Sequence, residues 1–131
     1  MPIASWPLHQ GRPRIEIILT GALSGKQLIC RLLADTGAGG NMSKFDLALK
    51  ATDCQSFGTY VGLTQLGGAY AGLFPLYGIR VQIPAIGFDG PVRAVGVPTT
   101  PPNFDGIAGF RFLNRFTYGN FANKTQFGLE L

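Results

Sequence analysis

Apolar and β-branched residues fill positions 14–20, a glycine-bounded turn occupies 21–25, and a second apolar run covers 26–34. That succession predicts a β-hairpin whose second strand runs straight into Asp35-Thr36-Gly37-Ala38. Ser43 is placed to cap a short helix through about residue 50. Across 57–74 glycines alternate with β-forming residues, which predicts a flexible hairpin with Gly67-Gly68 at its tip. Strands are expected at 76–84 and 91–97, followed by a proline-rich loop at 98–102. Residues 105–109 read as a strand ending in a turn, and the spacing of Phe112, Leu113 and Phe116 predicts a short helix over 110–116. Closing strands are expected at 118–121 and 126–131. The first residues show no periodicity, so 1–12 read as an N-terminal arm that packs on a single domain, 13–131.

Composition agrees with this mostly-β picture. A chain of 131 residues that is 46% hydrophobic, with 19 glycines and 9 prolines, suits one domain of short strands and turns. The net charge of +4 is spread over scattered basic residues without a basic run or an aromatic-basic motif, so no nucleic-acid partner is expected. Arg111 and Arg115 read as a solvated or salt-bridging pair rather than a phosphate site. The 2 cysteines, Cys30 and Cys54, lack metal-ligand spacing, so neither a metal nor another cofactor is expected. Cys30 reads as a buried thiol and Cys54 as a bystander after the helix. The start of the chain lacks the charged and apolar regions of a secretory leader, and no apolar run is long enough to be a membrane segment. An intracellular, cytoplasmic location is the expectation.

Asp35 is the leading candidate for chemistry. A carboxylate at the end of a buried strand costs free energy unless it is hydrogen-bonded, paired or used. The other acids have plainer settings: Asp46 on a helix surface, Asp53 and Asp89 in turns, Glu16 and Glu130 on exposed strand positions, and Asp105 at a strand start. His9, the only histidine, reads as a surface imidazole without a partner. Serine, cysteine and histidine are too dispersed to nominate a nucleophile with its base.

Three motifs occur in order: Asp35-Thr36-Gly37-Ala38, the glycine-rich 58–69 stretch ending Leu66-Gly67-Gly68-Ala69, and Ile107-Ala108-Gly109 leading into Phe112-Leu113. Together they resemble the retropepsin-type aspartic proteases, and more closely the single-domain bacterial retropepsin-like proteases, over roughly residues 14–131. The resemblance implies an all-β acid-protease barrel with one or two short helices, active as a homodimer on polypeptide substrates. Asp35 from each subunit would then form the catalytic pair that activates water, since one copy supplies only one carboxylate. Thr36 would brace the two loops, and Gly37 and Ala38 would complete them. Leu66, Gly67, Gly68 and Ala69 would form a flap over substrate, and Ile107, Ala108 and Gly109 a supporting turn. The last strand would pair with the partner subunit. Leu33, Ala38, Leu66, Tyr70 and Phe74 would line a cavity preferring apolar side chains. The alternative is a catalytically silent dimerisation or peptide-binding module of the same fold.

Two positions depart from the family pattern. Retroviral relatives carry a carboxylate after Asp-Thr-Gly-Ala and an arginine after the late glycine, where this chain has Gly39 and Phe110. An apolar contact in place of that ion pair is the expectation. Ala38 also lacks the hydroxyl that some aspartic proteases carry there, which predicts activity reaching towards mildly acidic or near-neutral pH.

Overall fold

The structure is a computed structural model describing residues 2–68 and 70–131. The strands are β1 (Ile3–Pro7), β2 (Arg14–Thr20), β3 (Gln27–Ala34), β4 (Leu47–Lys50), β5 (Thr59–Leu66), β6 (Gly72–Ile83), β7 (Phe88–Val97), β8 (Gly106–Ala108), β9 (Thr117–Gly119) and β10 (Gln126–Glu130). Two short helices, α1 (Ala51–Phe57) and α2 (Phe110–Leu113), complete the chain, with a 3-10 turn at Pro84–Ile86. The chain is all-β, as composition implied, and its larger sheet closes into a barrel.

Closure comes from the length of β6. Its first half pairs with β5, from Leu66↔Gly72 to Thr59↔Gly78, and its second half pairs with β2 through Leu19↔Val81. The order β2-β3-β8-β4-β7-β6 therefore returns to β2, a six-stranded barrel with β5 attached outside the ring. Alternation fills the interior: Ile15, Ile17 and Leu19 of β2 point inward with Cys30 and Leu32 of β3, Val81 of β6 and Phe112 of α2, all essentially without exposure. The turn expected at Asp89 falls earlier, since Asp89 lies in β7 opposite Gln82 and holds Arg80 in a two-pronged pair of 2.8 and 2.7 Å.

Three expectations are corrected here. The helix of 43–50 does not form: 47–50 is β4, and the helix follows at Ala51–Phe57, with Asp53 and Cys54 inside it. Leu47, Ala48 and Leu49 are all buried, because β4 lies between β7 and β8 with other structure on both faces. A strand buried on both faces shows no polar alternation, and a short apolar run of that kind mimics a helix. Residues 3–7 of the expected arm are a strand, paired with β10 from Ile3↔Glu130 to Pro7↔Gln126. Finally, β10 is the middle strand of β1-β10-β9, so its own chain occupies both of its edges and the expected strand pairing with a partner subunit finds no free edge there.

Both cysteines are buried free thiols, and burial pushes each up to about 12 from the ordinary 9.0. The folded state thus holds these protons more tightly than the unfolded state. Their contribution to stability is whole below pH 9.0 and is lost as pH rises towards about 12. A disulfide-exchange reagent at about pH 8 should label neither thiol in the native protein and both in concentrated urea. Fast native labelling of either one would contradict this burial. Among the described residues no helix is long and apolar enough to cross a membrane.

Candidate acid-loop site

Asp35 leaves the barrel at the end of β3, beside β8. The parallel register Ala34↔Ala108 sets the backbone, and the Asp35 N–H donates to the Ala108 carbonyl at 3.0 Å. The loop then closes on itself: Ala38 N–H donates to the Asp35 carbonyl at 3.1 Å, and Gly37 N–H donates to Asp35 Oδ1 at 2.9 Å. That is the only hydrogen bond to the Asp35 carboxylate among the described residues, and the residue is half-exposed. Thr36 is exposed and its hydroxyl has no partner among those residues.

The supporting turn lies directly against this loop. Phe110 N–H donates to the Ala38 carbonyl at 2.9 Å, and Gly109 N–H to the Asp46 carbonyl at 2.9 Å. A Cβ on Gly109 would stand 2.8 Å from the Ala38 oxygen and 3.2 Å from the Asp46 oxygen. Both neighbours are backbone and cannot swing aside. Gly109→Ala should therefore cost about 1–3 kcal/mol in urea unfolding and should speed exchange of the Phe110 amide. Unchanged exchange would show that the loop does not depend on this close approach. Ala108 lies in the core and Ile107 faces the cavity described next.

That cavity, about 430 Å³, opens beside the acid loop. Gly37, Ala38 and Gly39 of the loop line it together with Ser43, Phe45, Ala48, Val95 and Ile107, and with Gln65, Leu66, Gly67, Gly68 and Tyr70 of the hairpin; Asp35 itself is not among the lining residues. The structure thus brings the hairpin tip and the acid loop to one cavity. Ala69 lies outside the described residues. Of the expected apolar liners, Ala38, Leu66 and Tyr70 are present, whereas Leu33 and Phe74 are not among the lining residues. Phe74 packs instead against the small cluster of Ala48, Leu66, Leu76, Val95 and Val97.

The residue that sequence reasoning missed is Asp46. It is fully buried, not on a helix surface. Its Oδ2 accepts the Arg93 N–H at 2.9 Å, and its Oδ1 meets Arg115 Nη2 at 3.0 Å and Arg111 Nε at 3.6 Å. Arg111 Nη1 also donates to the Ser43 carbonyl at 2.9 Å. Ser43, expected to cap a helix, instead accepts the Gly40 N–H at 2.8 Å through its hydroxyl. An ion-pair network therefore ties the 40–46 segment to the 111–115 segment, at residues other than Gly39 and Phe110. The signal was present as an acid beside an apolar run with two arginines beyond the late glycine. At Gly39 itself φ is +75°, a conformation that L side chains rarely adopt, which disfavours a carboxylate at that position.

Other candidates stay outside the site. His9 stacks edge-on against Phe104 at 5.3 Å, far along the chain from Asp35. No group of three or more His, Cys, Asp or Glu that could hold a metal occurs among the described residues. Comparison with family models, curated proteins and solved structures yields no match for this chain.

Proposed function

We propose that this chain is one subunit of a homodimeric aspartic endopeptidase of the retropepsin type. One observation carries the reading: a partly exposed carboxylate, held by a single local hydrogen bond, starts a pinned loop whose Gly37 and Ala38 line a largely apolar cavity together with a glycine-tipped hairpin. A purely structural acid would be satisfied by several partners, as Asp46 is. In the dimer, one Asp35 carboxylate removes a proton from water as the oxygen attacks the scissile carbonyl. The partner's protonated carboxyl gives its proton to the carbonyl oxygen. The resulting tetrahedral species collapses with proton transfer to the leaving amine, so water is consumed and the acid pair is restored. In this reading the exposed Thr36 would meet the facing loop of the partner subunit, and Leu66 to Gly68, which line the cavity, would cover an extended peptide.

A non-hydrolytic peptide-binding module is the second reading. It is favoured by β10, whose edges are both occupied within the chain, so that dimerisation needs the loop rim or the free edges of β1 and β9. Mass-spectrometric cleavage of an unbiased peptide library across about pH 4 to 7, with concentrated wild type and Asp35→Asn, separates the two. Cleavage by wild type alone, with apolar residues at the cut, is the expected result. Silence from both proteins would favour the binding module, and equal cleavage by both would remove Asp35 from the reaction.

A further inference from the structure

A second concavity, about 340 Å³, lies on the other side of a segment that lines the acid-loop cavity. Phe45 and Ala48 face the first cavity, while Asp46 faces this one. Its walls include Arg93, Arg111 and Arg115, with apolar surface from Val61, Pro91 and Val92. We propose that this groove binds a phosphate-type oxyanion.

Charge gives the first argument. Arg111 and Arg115 both reach one oxygen of Asp46, so their guanidinium groups are held close together despite their repulsion. Asp46 can neutralise only one of them. With Arg93 added, three arginines border the groove with one carboxylate, a formal surplus matching a phosphate dianion. Among the described residues no other acid lies within ion-pair distance of these arginines, because Glu16 pairs with Arg14 and Asp89 with Arg80.

Donor geometry gives the second. Each guanidinium presents a planar fork of N–H groups suited to tetrahedral oxyanions. Arg115 uses one nitrogen on Asp46, Arg111 directs Nη1 to Ser43, and the Arg93 side chain has no ion-pair partner among the described residues. Arg111 and Arg115, 39% and 36% exposed, border a recess backed by the buried Val92, so an incoming anion can reach them. Sequence spacing linked only Arg111 and Arg115. The third arginine arrives from β7, because Asp46 N–H donates to the Arg93 carbonyl at 2.8 Å and the Arg93 N–H donates back to Asp46 Oδ2 at 2.9 Å.

This inference does not depend on Asp35 or on hydrolysis. The test titrates inorganic phosphate, and separately a phosphoserine peptide with its serine counterpart, at constant ionic strength. Binding is read by calorimetry and by the arginine Nε–H resonances. Wild type should bind phosphate saturably, with shifts at Arg93, Arg111 and Arg115. Arg93→Gln, which leaves the Asp46 network intact, should weaken binding about tenfold, the scale of one charge-assisted hydrogen bond. Lys124→Gln, an exposed charge in the 120–125 turn, should leave affinity unchanged. Tighter binding of the phosphopeptide than of phosphate would assign the group to a polypeptide; the reverse would assign it to a small free ion. Absence of saturable shifts with either probe, or equal weakening by Lys124→Gln, would overturn the proposal.

Discussion

Asp35→Asn is expected to lower peptide cleavage by about 10²–10⁴-fold while changing the free energy of unfolding by less than about 0.5 kcal/mol. The two halves of this prediction have separate causes. Catalysis by a carboxylate pair needs one group that takes a proton and one that gives it, and an amide does neither. Folding, by contrast, asks little of the Asp35 side chain. Its one local bond, from the Gly37 N–H to Oδ1 at 2.9 Å, can be accepted equally by an asparagine oxygen. The backbone bonds that place the loop, to Ala108 and from Ala38, do not involve the side chain. Kinetics on the best library peptide, paired with urea unfolding, provide the check. A loss of several kcal/mol would recast Asp35 as a structural residue and the cavity as a bystander.

Asp46→Ala should have the opposite profile, a loss of about 3 kcal/mol in stability. The carboxylate accepts from Arg93 N–H and Arg115 while fully buried, so its removal leaves donors facing a void. Arg115→Met should cost only about 1 kcal/mol, because the guanidinium is 36% exposed and Arg111 still faces the same oxygen. The asymmetry is the decisive feature. Equal losses in urea titrations of the two variants would mean that the acid is held by Arg115 alone.

Much of the barrel was legible in the chain, and the failures share a cause. The β2–β3 hairpin could be read because Gly21 and Gly25 bracket two apolar runs, and the β5–β6 hairpin because β-forming residues flank Gly67-Gly68. β4 could not, since Leu47, Ala48 and Leu49 are buried on both sides and carry no period that separates a strand from a helix. Asp46 was misplaced with it, as its meaning depends on Arg93, Arg111 and Arg115 arriving from other elements. β1 escaped notice because its partner lies at the far end of the sequence. Around Asp35 the turn was legible from its glycines, whereas which apolar residues of the 66–74 hairpin line the cavity depends on tertiary packing and was not.

The pairing of β1 with β10 fixes an order of events. Ile3 meets Glu130, so the earliest strand of the chain has no partner until nearly the last residues are in place. Closing so long a loop is entropically late, while β2 with β3 and β5 with β6 need only short turns. A nascent or C-terminally clipped chain would therefore hold Ile3–Pro7 as an unmatched edge, free to join any exposed strand it meets. Completion of β1-β10-β9 gives one edge of that strand its partner and leaves the other at the rim of the sheet.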